Sequence, residues 1–199
     1  MVVLKCWSSE MRAFLALEVT NEAVLSSIAK AQRRFLETEA DLKIVESKNL
    51  HFTLRFFGEV SEDQVNCISH NLDDLDTESV NVNFEGVGVF PNPRRISVIY
   101  VGVDKGSYEK IVKISQEVEN RIKGIVGVAD KMFKPHLTIS RVRTNRNKEK
   151  LQRVVNELRS KRFGNDILNE IKLKKSELTS KGPIYSNLCA IPLKEEQVL

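Results

Sequence analysis

Two tetrapeptides of one form constrain this 199-residue chain more than any other feature. His51-Phe-Thr-Leu54 and His136-Leu-Thr-Ile139 each read His-apolar-Thr-apolar, and their surroundings repeat with them. Segments 12–19 and 96–103 are both apolar and strand-length. A helical stripe follows each: Val24, Leu25, Ile28, Ala31, Phe35 and Leu36 after the first, and Ile111, Val112, Ser115, Val118 and Ile122 after the second. Short extended pieces (42–45 and 125–128) precede the two histidine strands, which the pattern sets at 51–57, with Gly58 ending it, and at 135–142. Ser61-Glu-Asp-Gln64 has the form of a capping box, in which a Ser cap and a Gln three residues on satisfy each other's backbone donors. It opens a helix carrying Val65, Ile68, Leu72 and Leu75, matched by Leu151, Val154, Val155 and Leu158 over residues 148–160. Alternation at Val80, Val82 and Phe84, and again at Ile171 and Leu173, reads as a half-buried strand closing each unit. A last strand covers roughly 184–191.

The order βαββαβ therefore occurs twice. The chain is expected to be α+β, with two similar lobes about a pseudo-twofold axis. Short links between strands favour antiparallel sheets over a doubly wound parallel one. No GxGxxG or GxxxxGK[ST] occurs, so dinucleotide and P-loop binding lack a motif. Gly86–Arg95, with two Pro and two Gly, is the natural midpoint, but it is too short to separate independent domains.

At 41% apolar residues the chain can bury a core, and 29% charged residues suit an aqueous surface. No run of about 20 apolar residues exists to span a membrane, and the first ten residues do not read as a signal peptide. Cys6, Cys67 and Cys189 lie far apart and form no CxxC pair, which fits a reducing cytoplasm. The net charge of +4 is uneven: residues 130–182 hold 15 Lys and Arg against 6 Asp and Glu, an excess of nine. Clustered positive charge suits a polyanion, with RNA or DNA first, because it neutralises phosphates and releases counterions.

The chain has three histidines, and the paired motifs use two of them. Strand side chains alternate, so His51 and Thr53 share a face, as do His136 and Thr138. Facing across a pseudo-twofold axis, the strands would gather two imidazoles and two hydroxyls in one cleft. Such a set suits in-line displacement at phosphorus: a neutral His takes a proton from water, an imidazolium protonates the leaving oxygen, and the Thr hydroxyls bond the phosphate oxygens. No metal or other cofactor is expected. A two-histidine metal site would lack an Asp, Glu or Cys nearby to complete it. His70, on a helix with no matching motif, reads as a surface residue.

These residues, with Phe90-Pro-Asn-Pro-Arg-Arg-Ile-Ser-Val-Ile-Tyr100, Phe133-Lys-Pro-His-Leu-Thr-Ile-Ser-Arg141 and Leu173-Lys-Lys-Ser-Glu-Leu-Thr-Ser-Lys-Gly-Pro-Ile-Tyr185, resemble the two-histidine (2H) phosphoesterase superfamily. The likeness is closest to the RNA 2′,3′-cyclic phosphodiesterases, also called 2′-5′ RNA ligases. It implies a bilobal fold with two antiparallel sheets lining a central cleft. It implies hydrolysis of RNA 2′,3′-cyclic phosphate ends, tRNA-derived ends among them, to a 2′-phosphate. It makes His51 the proton donor and His136 the proton acceptor; the near-symmetric motifs by themselves leave that order open. It adds Arg55 and Arg141 as phosphate-binding candidates. Arg55, four residues past His51, shares its face on an unbroken strand; Arg141, five past His136, faces away unless the strand bulges or ends. Tyr185 and Phe90 could stack on a base, with core packing the plainer expectation. The likeness starts at Met11, so residues 11–199 form the expected single domain and residues 1–10 a flexible extension. A monomer is the default. The same cleft run backwards, with an RNA 5′-hydroxyl in place of water, would be a 2′-5′ ligase. A non-catalytic RNA-binding module is the third reading, and two intact motifs argue against it.

Overall fold

The computed structural model describes residues 10–129, 132–180 and 182–195. Apart from Glu10, the extension expected over residues 1–10 lies outside them. The chain runs β1 (Met11–Glu18), α1 (Glu22–Leu36), β2 (Leu42–Ile44), β3 (His51–Val60), α2 (Glu62–Leu72), β4 (Val80–Asn92) and β5 (Arg95–Val103). It continues with α3 (Lys105–Val126), β6 (Leu137–Val142), α4 (Lys148–Glu157), β7 (Arg162–Leu168), β8 (Glu170–Thr179) and β9 (Gly182–Pro192). This is the expected α+β architecture. Among the described residues no helix is long and apolar enough to cross a membrane.

Local chemistry sets the helix starts. Asn21 accepts from the backbone N–H of Ala23 and Val24 to open α1. The Ser61–Gln64 capping box opens α2 with both of its bonds formed, and the Asp104 carboxylate accepts from the Ser107 N–H to open α3. Each satisfies donors that the first helical turn leaves unpaired.

The strands form two antiparallel sheets, ordered β3-β1-β8-β9 and β2-β6-β5-β4-β7. Laid side by side, β3-β1-β8 of one sheet matches β6-β5-β4 of the other. The two sequence repeats are thus interleaved. The first repeat ends in β4, which pairs with β5 in the second sheet; β8, closing the second repeat, pairs with β1 in the first. The helices cross over as well. Helix α1 packs against α4 and on β6 and β7, whereas α3 packs with α2 and against β3 and β4. A single apolar core runs through both lobes, and Phe52 of β3 stacks on Phe84 of β4 with ring centroids 5.8 Å apart.

Four sequence readings need correction. Gly58 does not end its strand: β3 runs on to Val60, and Gly58 takes a positive φ of 76° beside a register shift opposite Ala13 and Phe14. Gly86–Arg95 is not a linker but the far half of β4 and its hairpin turn into β5. Ile125 and Val126 belong to α3, so the second repeat lacks a counterpart of β2. Between α4 and the strand at 170–179 that answers to β4 the chain adds β7, which the sequence reading does not include.

Candidate active site

Strand alternation turns Phe52 and Leu54 into the core, together with Leu137 and Ile139. His51, Thr53, His136 and Thr138 take the opposite face, and all four line one cavity of 680 Å³ between the sheets. Both imidazoles are held the same way. His51 Nδ1 lies 2.8 Å from the Asn49 carbonyl and His136 Nδ1 lies 2.7 Å from the Lys134 carbonyl. A carbonyl only accepts, so Nδ1 carries the proton on each ring and Nε2 is left for the cleft. His51 Nε2 is 3.1 Å from the Thr53 hydroxyl.

Aromatic rings wall both imidazoles. Phe14 and Tyr185 flank His51 at 5.1 and 5.6 Å between centroids. Phe90 and Tyr100 flank His136 at 5.0 and 5.8 Å and stack on each other at 4.5 Å. Phe90 and Tyr185 therefore pack on the histidines rather than in the core. Gly88 permits this arrangement, because a Cβ there would fall 2.3 Å from the Tyr100 ring. His70 is exposed in the last turn of α2, as expected.

The two arginine candidates part company, and the cause is the same on each side. Between Ala16 and Leu15 the partner on β3 jumps from Thr53 to Arg55, so Leu54 is an extra residue. Between Tyr100 and Ile99 the partner on β6 jumps from Thr138 to Ser140, so Ile139 is extra. A bulge of this kind reverses which residues face which side. Arg141, five past His136, accordingly reaches the cavity. Arg55, four past His51, is turned away. Its guanidinium donates to the Gly127 carbonyl at 3.2 Å and stands 3.6 Å from Glu119 of α3. The expectation that Arg55 shares the His51 face fails because the strand is not unbroken. Phe56 takes the position that corresponds to Arg141, lining the cavity half-exposed.

One cluster escaped the sequence reading. Glu18 stands across from His51 in the β1–β3 register. Both of its carboxylate oxygens are occupied, one by Lys172 at 2.6 Å and the other by Lys174. Lys174 is nearly buried yet lines the cavity. Burial opposes a charge on Glu18, but the two ammonium groups prevail and hold its carboxyl below the usual range. Burial also lowers the proton affinity of His51. The Asn49 carbonyl and Glu18 pull the other way, while Lys174 and His136 add to the lowering. Neutral His51 thus favours the folded state. That contribution is complete above the unfolded value of about 6.5 and is lost as the pH falls through the lowered one. Lys174 left no sequence signal, because Lys172, Lys174 and Lys175 read as a solvated strand charge.

A family model described as AKAP7 2′5′ RNA ligase-like domain matches residues 13–193. A Methanothermobacter thermautotrophicus protein named RNA 2′,3′-cyclic phosphodiesterase is 36% identical over 181 residues, 90% of this chain and 97% of its own. One of the same name from Methanocaldococcus jannaschii is 36% identical over 175 residues, 88% of this chain and 96% of its own. Among solved structures, a Thermus thermophilus protein is similar with a TM-score of 0.75 at 26% identity, covering 94% of this chain and 100% of that one. E. coli LigT, solved in complex with 3′-AMP, shares the fold at 19% identity with a TM-score of 0.73, over 94% of this chain and 99% of its own.

Proposed function

Because the chain belongs to the 2′-5′ RNA ligase-like family of two-histidine phosphoesterases, we propose that it is an RNA 2′,3′-cyclic phosphodiesterase that leaves a 2′-phosphate. The observation that carries this reading is the pair of equivalently held imidazoles, each with Nδ1 on a backbone carbonyl and its ring lining one shared cavity. Water enters on the His136 side and attacks phosphorus. His136 Nε2 takes the proton that water loses. The bond from phosphorus to the 3′ oxygen breaks, and protonated His51 gives that oxygen its proton through Nε2. Thr53, Thr138 and Arg141 bond the phosphate oxygens. The monoanionic diester gains one water and becomes a 2′-monoester. His51 must hold a proton for this role although burial disfavours one. The negative charge of the bound phosphate favours it.

The names of the relatives favour hydrolysis over ligation. The enzyme acts as a monomer, one domain over residues 11–199, in the reducing cytoplasm, on RNA ends that include tRNA fragments. The test is incubation of the purified chain with a nucleoside 2′,3′-cyclic phosphate and with an RNA bearing that end. A 2′-phosphate is expected in both cases, unaffected by EDTA, since both proton transfers are assigned to imidazoles. A 3′-phosphate product would overturn the assignment. Joining to a 5′-hydroxyl RNA in preference to hydrolysis would select the ligase.

The two arginines give a second check. Arg141→Met should raise KM for the cyclic phosphate about 10- to 100-fold, the value of a charge-assisted hydrogen bond. Arg55→Met should leave KM unchanged and lower stability by about 1.5–3 kcal/mol, because it loses its bonds to α3 and the turn after it. A KM effect at Arg55 equal to that at Arg141 would contradict the bulge at Leu54.

A further inference from the structure

The two motifs are near copies, but their surroundings differ in charge. His136 faces Phe90 and Tyr100, and among the described residues no acid or ammonium group is hydrogen-bonded to it. His51 faces Glu18 from β1, Lys174 from β8, Tyr185 from β9 and His136 across the cleft, and Lys172 from β8 holds the other oxygen of Glu18. In many acid–base sites a carboxylate grips the far nitrogen of the histidine and favours its charged form. Here the carboxylate is present in register, but two lysines hold both of its oxygens and a neutral carbonyl holds His51 Nδ1.

We propose that Lys174 is a positioning residue of the reaction: it holds the Glu18 carboxylate away from His51 and, with its own charge, ties protonation of His51 to the arrival of an anionic phosphate. The inference rests on the phosphodiesterase reading given above. In the empty cleft burial and the charge of Lys174 disfavour a proton on His51. A bound phosphate adds negative charge there, so the proton donor is loaded when the substrate is bound. The direction of the shift at His51 and the contribution of Lys174 to it agree with this geometry.

The test is an NMR titration of the His51 ring in the full chain, in three proteins: wild type, Lys174→Met and Glu18→Gln. Each is measured free, with inorganic phosphate, and with uridine 2′-monophosphate. In the wild type, either anion should raise the His51 titration midpoint. In Lys174→Met the midpoint of the free protein should already be raised, and the further rise on anion binding should shrink. In Glu18→Gln the free midpoint should fall below that of the wild type. A mere packing defect would not move the two variants in opposite directions. The limb of kcat/KM set by His51 should follow its midpoint, and Lys174→Arg should restore both. An unchanged midpoint in well-folded Lys174→Met would overturn the proposal, as would an undiminished response to phosphate. If the wild type binds phosphate and titrates as described but hydrolyses no cyclic phosphate, the phosphodiesterase reading fails and the coupling stands.

Discussion

His51→Ala and His136→Ala are each expected to lower kcat on a 2′,3′-cyclic phosphate by on the order of 10²–10⁴, the usual contribution of a positioned general acid or base. Both imidazoles present Nε2 to one cavity with Nδ1 fixed by a backbone carbonyl, so neither ring can take over the other's task. The double variant should lose far less than the product of the single losses, because groups that act as a unit are not additive. Thr53→Ala and Thr138→Ala should be milder, since each removes one hydrogen bond and leaves proton transfer in place. The wild-type pH profile of kcat/KM should be a bell, with one ring needed neutral and the other charged, and its two limbs belong to the coupled pair. Circular dichroism should report every variant folded. If either histidine variant is folded and keeps wild-type turnover, the two-histidine mechanism is wrong and the binding-module reading gains.

The second large effect concerns stability. Phe52→Ala should cost about 3–5 kcal/mol, a large share of the roughly 5–15 kcal/mol that holds a domain together. Phe52 is fully buried between the two catalytic-face residues His51 and Thr53, and its ring stacks on Phe84 from the other sheet. Removing it opens a cavity where the two lobes share their core. Urea unfolding should show the midpoint fall, and the melting temperature should drop by about 6–20 °C for a chain of this size. The folded fraction should still hydrolyse the cyclic phosphate. Phe52→Leu, which keeps most of the volume, should cost markedly less. A loss below about 1 kcal/mol in Phe52→Ala would mean that the lobes do not depend on this contact.

What could be read from the chain was whatever is encoded locally. The capping box at Ser61–Gln64, the helical stripes and the paired tetrapeptides each lie within one element, so spacing alone reveals them. The departures at the site depend on pairing between distant segments. Whether Arg55 or Phe56 faces the cleft is decided by one extra residue at Leu54, and that residue is extra only against β1. Counting alternate residues cannot detect it. Strand alternation misplaces Arg55 for the same reason that it fails to bring Arg141 inward. Lys174 carries a charge that sequence assigns to solvent; only the pairing of β8 with β1 sets it beside Glu18. Tyr100 reads as an ordinary strand residue until Gly88, on the neighbouring strand, is seen to make room for its ring.

The crossing of β4 and β8 between the sheets bears on where such a chain comes from. Cut at the β4–β5 turn, either half would carry a last strand and a first helix with no sheet of its own to receive them. A half-length ancestor could satisfy both only by meeting a second copy and trading them, as in a domain-swapped homodimer. Each subunit would then bring one histidine and one threonine to a cleft on the dyad. Duplication and fusion of its gene would free the two sides to diverge. The two sides now differ: one has an acid clamped by two lysines, the other a pair of stacked rings. On this view the two imidazoles began as the same residue in two subunits, and the difference between donor and acceptor arose after they were joined.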